Sequence, residues 1–123
     1  MTLVDTSVWI EFFRGPGRAS RLTALLDAGE VLLHPFVLGE LAIGNLGPDR
    51  RRILSDLAQL PRAFTVADEE VPHFIEARTL FGKGISWIDA HLLASVPTSA
   101  GTLWTLDRRL AAAAAKLKLP SLA

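Results

Sequence analysis

The 123 residues carry 13 basic and 13 acidic side chains, so the formal net charge is zero, and half of them are hydrophobic. That balance argues against a disordered polyelectrolyte and supplies enough apolar material for one core, so a single domain over residues 1–123 is expected. The absence of cysteine excludes disulfides and thiolate metal sites. Apolar runs are broken by charge, Gly or Pro short of the roughly 18 residues that span a bilayer, and no basic flank precedes an apolar leader. A cytoplasmic protein with no membrane association is therefore expected.

In chain order, Thr2 to Val4 reads as a short strand, and Thr6 or Ser7 caps a helix that runs to about Arg14, where Gly15, Pro16 and Gly17 stop it. A second helix covers Ala19 to Ala28, with Leu22, Leu25 and Leu26 on one stripe and Gly29 at its end. Val31 to Leu33 has the continuous apolar character of a strand covered on both faces. Phe36 to Asn45 reads as a helix despite Gly39 and Gly44. Asp49 to Leu60 is a charged helix with Ile53, Leu54, Leu57 and Leu60 inward.

Phe64 to Val66 is expected as another strand, followed by a helix from Asp68 through Phe81 that accommodates Pro72 in its first turns. Ser86 caps an apolar helix to about Val96. The stretch PTSAG (97–101) reads as a turn, Thr102 to Leu106 as a strand, and Arg108 to Leu117 as an Ala-rich helix. Strands alternate with helices and no hairpin signal joins any two strands, which implies a parallel sheet wrapped by helices, an α/β domain.

Four acids stand out against this frame. Asp5 ends the first apolar run, and Asp107 ends TLWTL; each admits a helix N-cap as the plain explanation. Glu40 and Asp89 fall inside apolar helices, where neither is expected to cap, with no basic residue three or four positions away, and for these the plain explanation is a long-range salt bridge to an Arg. An unpaired carboxylate on an apolar face costs several kcal/mol, much of a small domain's stability of about 5–15 kcal/mol. In a parallel sheet the carboxyl ends of neighbouring strands converge on one crevice, where Asp5 and Asp107 fall. If the helices bearing Glu40 and Asp89 border it, four carboxylates meet. Such a cluster calls for a cation between its members, and an oxygen-only set selects Mg²⁺ or Mn²⁺. An ion held in this way can activate water for attack on a phosphodiester, so a nuclease or a phosphatase is implied.

The segments LVDTSVWIEFF, VLGELAIG, GISWIDAHLLAS and LWTLDRRL, in this order and spacing, resemble the PIN-domain family, and within it the VapC-type toxins of bacterial toxin–antitoxin pairs. The resemblance covers nearly the whole chain. It implies a PIN fold, a central parallel sheet of four or five short strands flanked by about seven helices, and an Mg²⁺-dependent endoribonuclease in which Mn²⁺ can substitute. Asp5, Glu40 and Asp89 match the family's three core acids, Asp107 the more variable fourth, and Ser7, or less well Thr6, the hydroxyl beside the first Asp. A homodimer, an RNA substrate such as tRNA or rRNA, and a cognate VapB-type antitoxin are also implied. A housekeeping PIN nuclease without an antitoxin and a silent RNA- or protein-binding PIN domain are the alternatives. After Lys118 only LPSLA remains, which leaves the last strand of the family's sheet very short or missing.

Other residues receive plainer readings. Lys83 and Arg109 are candidate phosphate contacts because each lies near a candidate acid. The runs Arg50–Arg52 and Arg108–Arg109 read first as solvated helix faces and second as phosphate-facing patches. His91 reads as structural, His34 and His73 have no partner pattern that suggests a metal site, and Trp87 and Trp104 read as core. Trp9, Phe12 and Phe13 have the spacing of a buried helix face, although the family's dimer and antitoxin contacts also permit an interface there.

Overall fold

The computed structural model describes residues 1–122. Its elements are β1 (Thr2–Val4), α1 (Thr6–Phe13), α2 (Ser20–Asp27), β2 (Val31–Leu32), α3 (Pro35–Ile43), α4 (Arg50–Leu57), α5 (Val71–Ala77), α6 (Trp87–Thr98), β3 (Thr102–Trp104) and α7 (Arg108–Lys116). The sheet has the order β2-β1-β3 and is parallel throughout, with Leu3 opposite Leu32 on one side and Leu103 on the other. The first strand of the chain is thus the central one. Leu3, Val4 and Leu103 are completely buried, as a strand covered by helices on both faces must be.

Among the described residues three strands form this sheet rather than the four or five expected. At each edge the pairing shrinks to a single parallel bridge, Leu33 with Arg62 and Leu103 with Ser121. Residues 64–66 are not a strand. The backbone N–H of Phe64 donates to Ser99 Oγ at 2.9 Å and its carbonyl accepts from Ser95 Oγ, so α6 satisfies the groups that a neighbouring strand would have used. The pairing falls earlier, where Leu33 donates to the Pro61 carbonyl and Ala63 donates to that of Leu33. At the other edge the tail bridges β3 at one residue, in line with the expectation of a last strand very short or missing.

Helix α6 organises the interior. Ala90 through Val96 are all buried, because this helix is covered all round rather than along one stripe. It runs on through Pro97 to Thr98 instead of stopping before a 97–101 turn. Pro97 has no N–H to offer the Leu93 carbonyl, so the helix forgoes one bond there and ends a residue later, with Thr98 Oγ1 donating to the Ala94 carbonyl at 3.0 Å. Trp104 is core as expected, but Trp87, the first residue of α6, is 46% exposed. Its ring lies edge-on to His91, with 4.7 Å between centroids, instead of entering the core. Trp9 is buried and stacks on Phe13, while Phe12 and Phe13 are only partly covered.

Helix α3 begins with Pro35 at its first position, preset for helical φ and with no N–H to leave orphaned. His34 caps it, Nδ1 accepting from the Phe36 N–H at 3.0 Å. The proton of neutral His34 is therefore on Nε2, which is buried without a hydrogen-bond partner among the described residues. Burial, chiefly, and then the nearby His91 lower the pKa of His34 from 6.5 to about 4. Burial also lowers that of His91, against the opposing pull of Asp68, whose carboxylate stands 3.3 Å from His91 Nε2 but off the line of a hydrogen bond.

Candidate active site

One cleft of about 380 Å³ opens at the carboxyl end of the sheet. Asp5, Glu40, Asp89 and Asp107 all line it, together with Thr6, Ser7, Gly84, Ser86 and Arg109. The four acids singled out in the sequence are thus brought together by β1, α3, α6 and the turn after β3. Arg109 is the one cation on the wall among the described residues.

Asp5 follows β1 directly and is 7% exposed. It occupies the N-cap position of α1, yet its side chain makes no capping bond. The N-cap explanation therefore fails for its carboxylate. Oδ2 instead accepts from two hydroxyls, Ser7 Oγ and Thr105 Oγ1, each at 2.7 Å. Those hydroxyls are fixed in turn by backbone donors, Leu106 N–H to Ser7 at 3.0 Å and Asp107 N–H to Thr105 at 3.0 Å. Since Asp5 N–H also donates to the Trp104 carbonyl at 2.9 Å, the ends of β1 and β3 are laced together around this carboxylate.

Asp107 is a true N-cap of α7. Its Oδ1 accepts from the N–H groups of Arg109 at 2.9 Å and Leu110 at 3.2 Å. Asp89 corrects the expectation that it had no capping role. It is the third residue of α6 and closes a capping box, Oδ2 accepting from Ser86 N–H at 3.0 Å while Ser86 Oγ accepts from Asp89 N–H at 3.1 Å. The signal was present as Ser-x-x-acid before an apolar run. Glu40 is exposed on α3, and Thr6 Oγ1 donates to its Oε1 at 2.6 Å. No salt bridge holds Glu40 or Asp89 among the described residues.

Each of the four carboxylates commits one oxygen to a protein donor and has no such donor on the other among the described residues. Burial, foremost, raises the pKa of Asp89 above the usual carboxylate value, and the charges of Asp5 and Asp107 add to it against the Ser86 N–H. The repulsion that a cation would relieve is thus present. The donor set, oxygen only and multiply anionic, suits a hard divalent ion. Among the described residues no three acids stand close enough to hold one as their side chains lie, so binding would require them to draw in.

Of the candidate phosphate contacts, Arg109 faces this cleft and Lys83 does not. Lys83 lines the adjoining groove, to which Arg109 also contributes. Sequence reasoning missed Thr105 altogether. Its only local signal was a hydroxyl two positions before Asp107, and its partner is 100 residues away.

Residues 2–116 match the family model described as "PIN domain". The chain is 44% identical to Ribonuclease VapC32 of Mycobacterium tuberculosis strain H37Rv over 94% of its own length and 92% of the relative's. Among solved structures it is similar to FitAcB from Neisseria gonorrhoeae, with a TM-score of 0.67 and 21% identity over 100% of this chain and 97% of that one. It is also similar to PAE2754 from Pyrobaculum aerophilum, with a TM-score of 0.65 and 17% identity over 91% and 83%. The latter two speak to fold alone, and the first two to kinship. A sheet that ends in Asp5, with Glu40, Asp89 and Asp107 carried to the same cleft, has its explanation in descent: the chain belongs to the PIN-domain family, among its VapC-type members.

Proposed function

We propose that this protein is a divalent-metal-dependent endoribonuclease acting as the toxin of a VapBC-type pair. The observation that carries the reading is the convergence of four acids on one cleft with Arg109 on its wall. The likeness to Ribonuclease VapC32 directs the nuclease chemistry toward RNA. Mg²⁺, with Mn²⁺ as a substitute, would be held by Asp5, Glu40, Asp89 and Asp107. Once bound it supplies an activated water and charge neutralisation at the scissile phosphate.

The chain's own residues do the positioning. Ser7 and Thr105 fix the buried Asp5 carboxylate in one orientation, an outer-shell role of the kind that tunes metal affinity. Thr6 holds Glu40 at the rim. Ser86 locks Asp89 to the first turn of the most buried helix, which fixes the direction of that carboxylate. Arg109 meets the non-bridging oxygens of the phosphate and stabilises charge as it develops there.

The cognate antitoxin is a VapB-type protein, the RNA is a tRNA or rRNA, and the toxin is a homodimer. The partly covered Phe12 and Phe13, beside buried Trp9 in an apolar groove of about 260 Å³ between α1, α2 and α4, are a fitting contact for such a partner.

The test is digestion of purified total RNA with Mg²⁺ or Mn²⁺, with EDTA, and with Asp89→Asn, the cut sites being read by end-sequencing. Metal-dependent cuts at a few positions, absent in the variant, are expected. A folded, antitoxin-free sample that cuts nothing, or a variant that cuts at the parental rate, would refute the proposal.

A further inference from the structure

Beside the acid cleft runs a second depression, of about 490 Å³, between α7 and the 78–83 connection that leads toward α6. Among the described residues four cations line it, Arg78, Lys83, Arg109 and Lys116, and no acid does. None of the four takes part in an ion pair among the described residues. In a chain of zero net charge this is a concentration of unneutralised positive potential. A groove with apolar walls focuses such a field rather than dissipating it.

The construction is specific. Arg109 and Lys116 are seven positions apart, two turns, so they lie on one face of α7 and about 10.5 Å apart along its axis. The alanine run between them leaves the floor low, with Ala112 and Ala113 where longer side chains would fill the space. Arg78 is steadied by Phe74, its guanidinium 5.3 Å from the ring centroid. Arg109 lies across Gly84. A Cβ there would stand 3.1 Å from its Nη1 and 3.2 Å from its Cδ, and Gly84 has φ +75° as well. A glycine is thus what lets the guanidinium sit at the junction of the two depressions.

Resting on the nuclease reading, we propose that this groove binds the sugar–phosphate backbone of the RNA strand leading away from the cut phosphate, Arg109 marking the join. A phosphate drawn into a cleft of four carboxylates has neighbours along the strand that those same carboxylates repel. The basic groove shares a wall with the cleft and gives them a path. Its apolar floor accepts ribose and base faces without demanding a base identity, so the groove contributes affinity rather than sequence choice.

The test uses the full chain carrying Asp89→Asn, to prevent cleavage, with and without Arg78→Gln and Lys116→Gln, both exposed positions outside the acid cleft. Binding of labelled single-stranded oligouridylate is titrated over a range of salt. Loss of two phosphate contacts flattens the slope of log K against log salt by about 1.4, so between 50 and 200 mM salt the parental groove loses about sevenfold more affinity than the altered one. In the cleaving protein with Mn²⁺, the same pair of substitutions raises KM and leaves kcat unchanged. A parental protein that cuts RNA, with slope and KM unmoved by the substitutions, overturns the groove and leaves the nuclease reading intact. A parental protein that neither binds nor cuts RNA overturns the nuclease reading, and the groove with it. Loss of binding to poly-L-glutamate alone, with RNA binding unchanged, assigns the groove to an acidic protein and overturns the proposal.

Discussion

Acidification should destabilise this fold through His34. The neutral ring caps α3 through Nδ1, so the proton that charges His34 also removes the acceptor used by Phe36 N–H, in a site with no exposure to water. The folded pKa of about 4 lies below the ordinary 6.5, which means that the unfolded chain takes up the proton first. The stabilising contribution is therefore complete above pH 6.5 and is lost as pH falls toward 4. A separation of that size amounts to about 3 kcal/mol in full, of which about 2 kcal/mol is lost between pH 7 and pH 5. Set against a total of about 5–15 kcal/mol, the loss is readily measured. His91 adds in the same direction, and Asp68 is the nearby charge that opposes it. The assay is urea unfolding at both pH values for the parental chain and for His34→Asn, whose side-chain oxygen can cap but does not titrate. The parental protein should lose about 2 kcal/mol more than the variant on acidification. Equal losses would refute the account, since His34 would then titrate alike folded and unfolded.

The remaining expectations concern the cleft. In EDTA at neutral pH, Asp89→Asn should melt above the parental protein, because the raised pKa of Asp89 marks a carboxylate that the fold disfavours. That advantage should vanish as pH falls through the raised pKa toward the unfolded 3.8, where the parental residue is itself protonated, and calorimetry would follow it. Thr105→Val removes one of two hydroxyl donors from Asp5 and leaves Asp107 N–H without its acceptor, so Mn²⁺ affinity by calorimetric titration should fall about 10–100-fold. Gly84→Ala should lower stability by about 1–2 kcal/mol in chemical denaturation for the left-handed backbone alone, and should weaken RNA binding by displacing Arg109.

How much of this was readable in advance depended on whether the signal was local. Asp5 was legible because an apolar strand ran straight into an acid, and Glu40 because no cation stood within a helical turn of it. Asp107 was left open between cap and ligand, and it does cap α7 while facing the cleft. Asp89 was legible as an oddity but misjudged as uncapped, although Ser86 three positions earlier was already read as a cap. The strand count failed because both sheet edges depend on single bridges, Arg62 and Ser121, with no periodicity to betray them. Trp87 failed for the opposite reason: an apolar residue in an apolar run looks buried, but the first position of a helix can face out. The basic groove was invisible because only tertiary packing sets Arg78 and Lys83 against Arg109 and Lys116 of α7.

The lacing of β1 to β3 has a consequence for the order in which the molecule is made. Ser7 and Thr105, which grip the same carboxylate oxygen, are 98 residues apart. The central strand is synthesised well before its β3 partner and the Asp107 corner of the cleft, which lie about a hundred residues further along. A nascent chain therefore carries Asp5, Glu40 and even Asp89 without the contacts that hold them in one place. Under the proposed function, the enzyme is complete only once β3 has docked on β1, and an antitoxin that reads the assembled cleft has its target only from that moment.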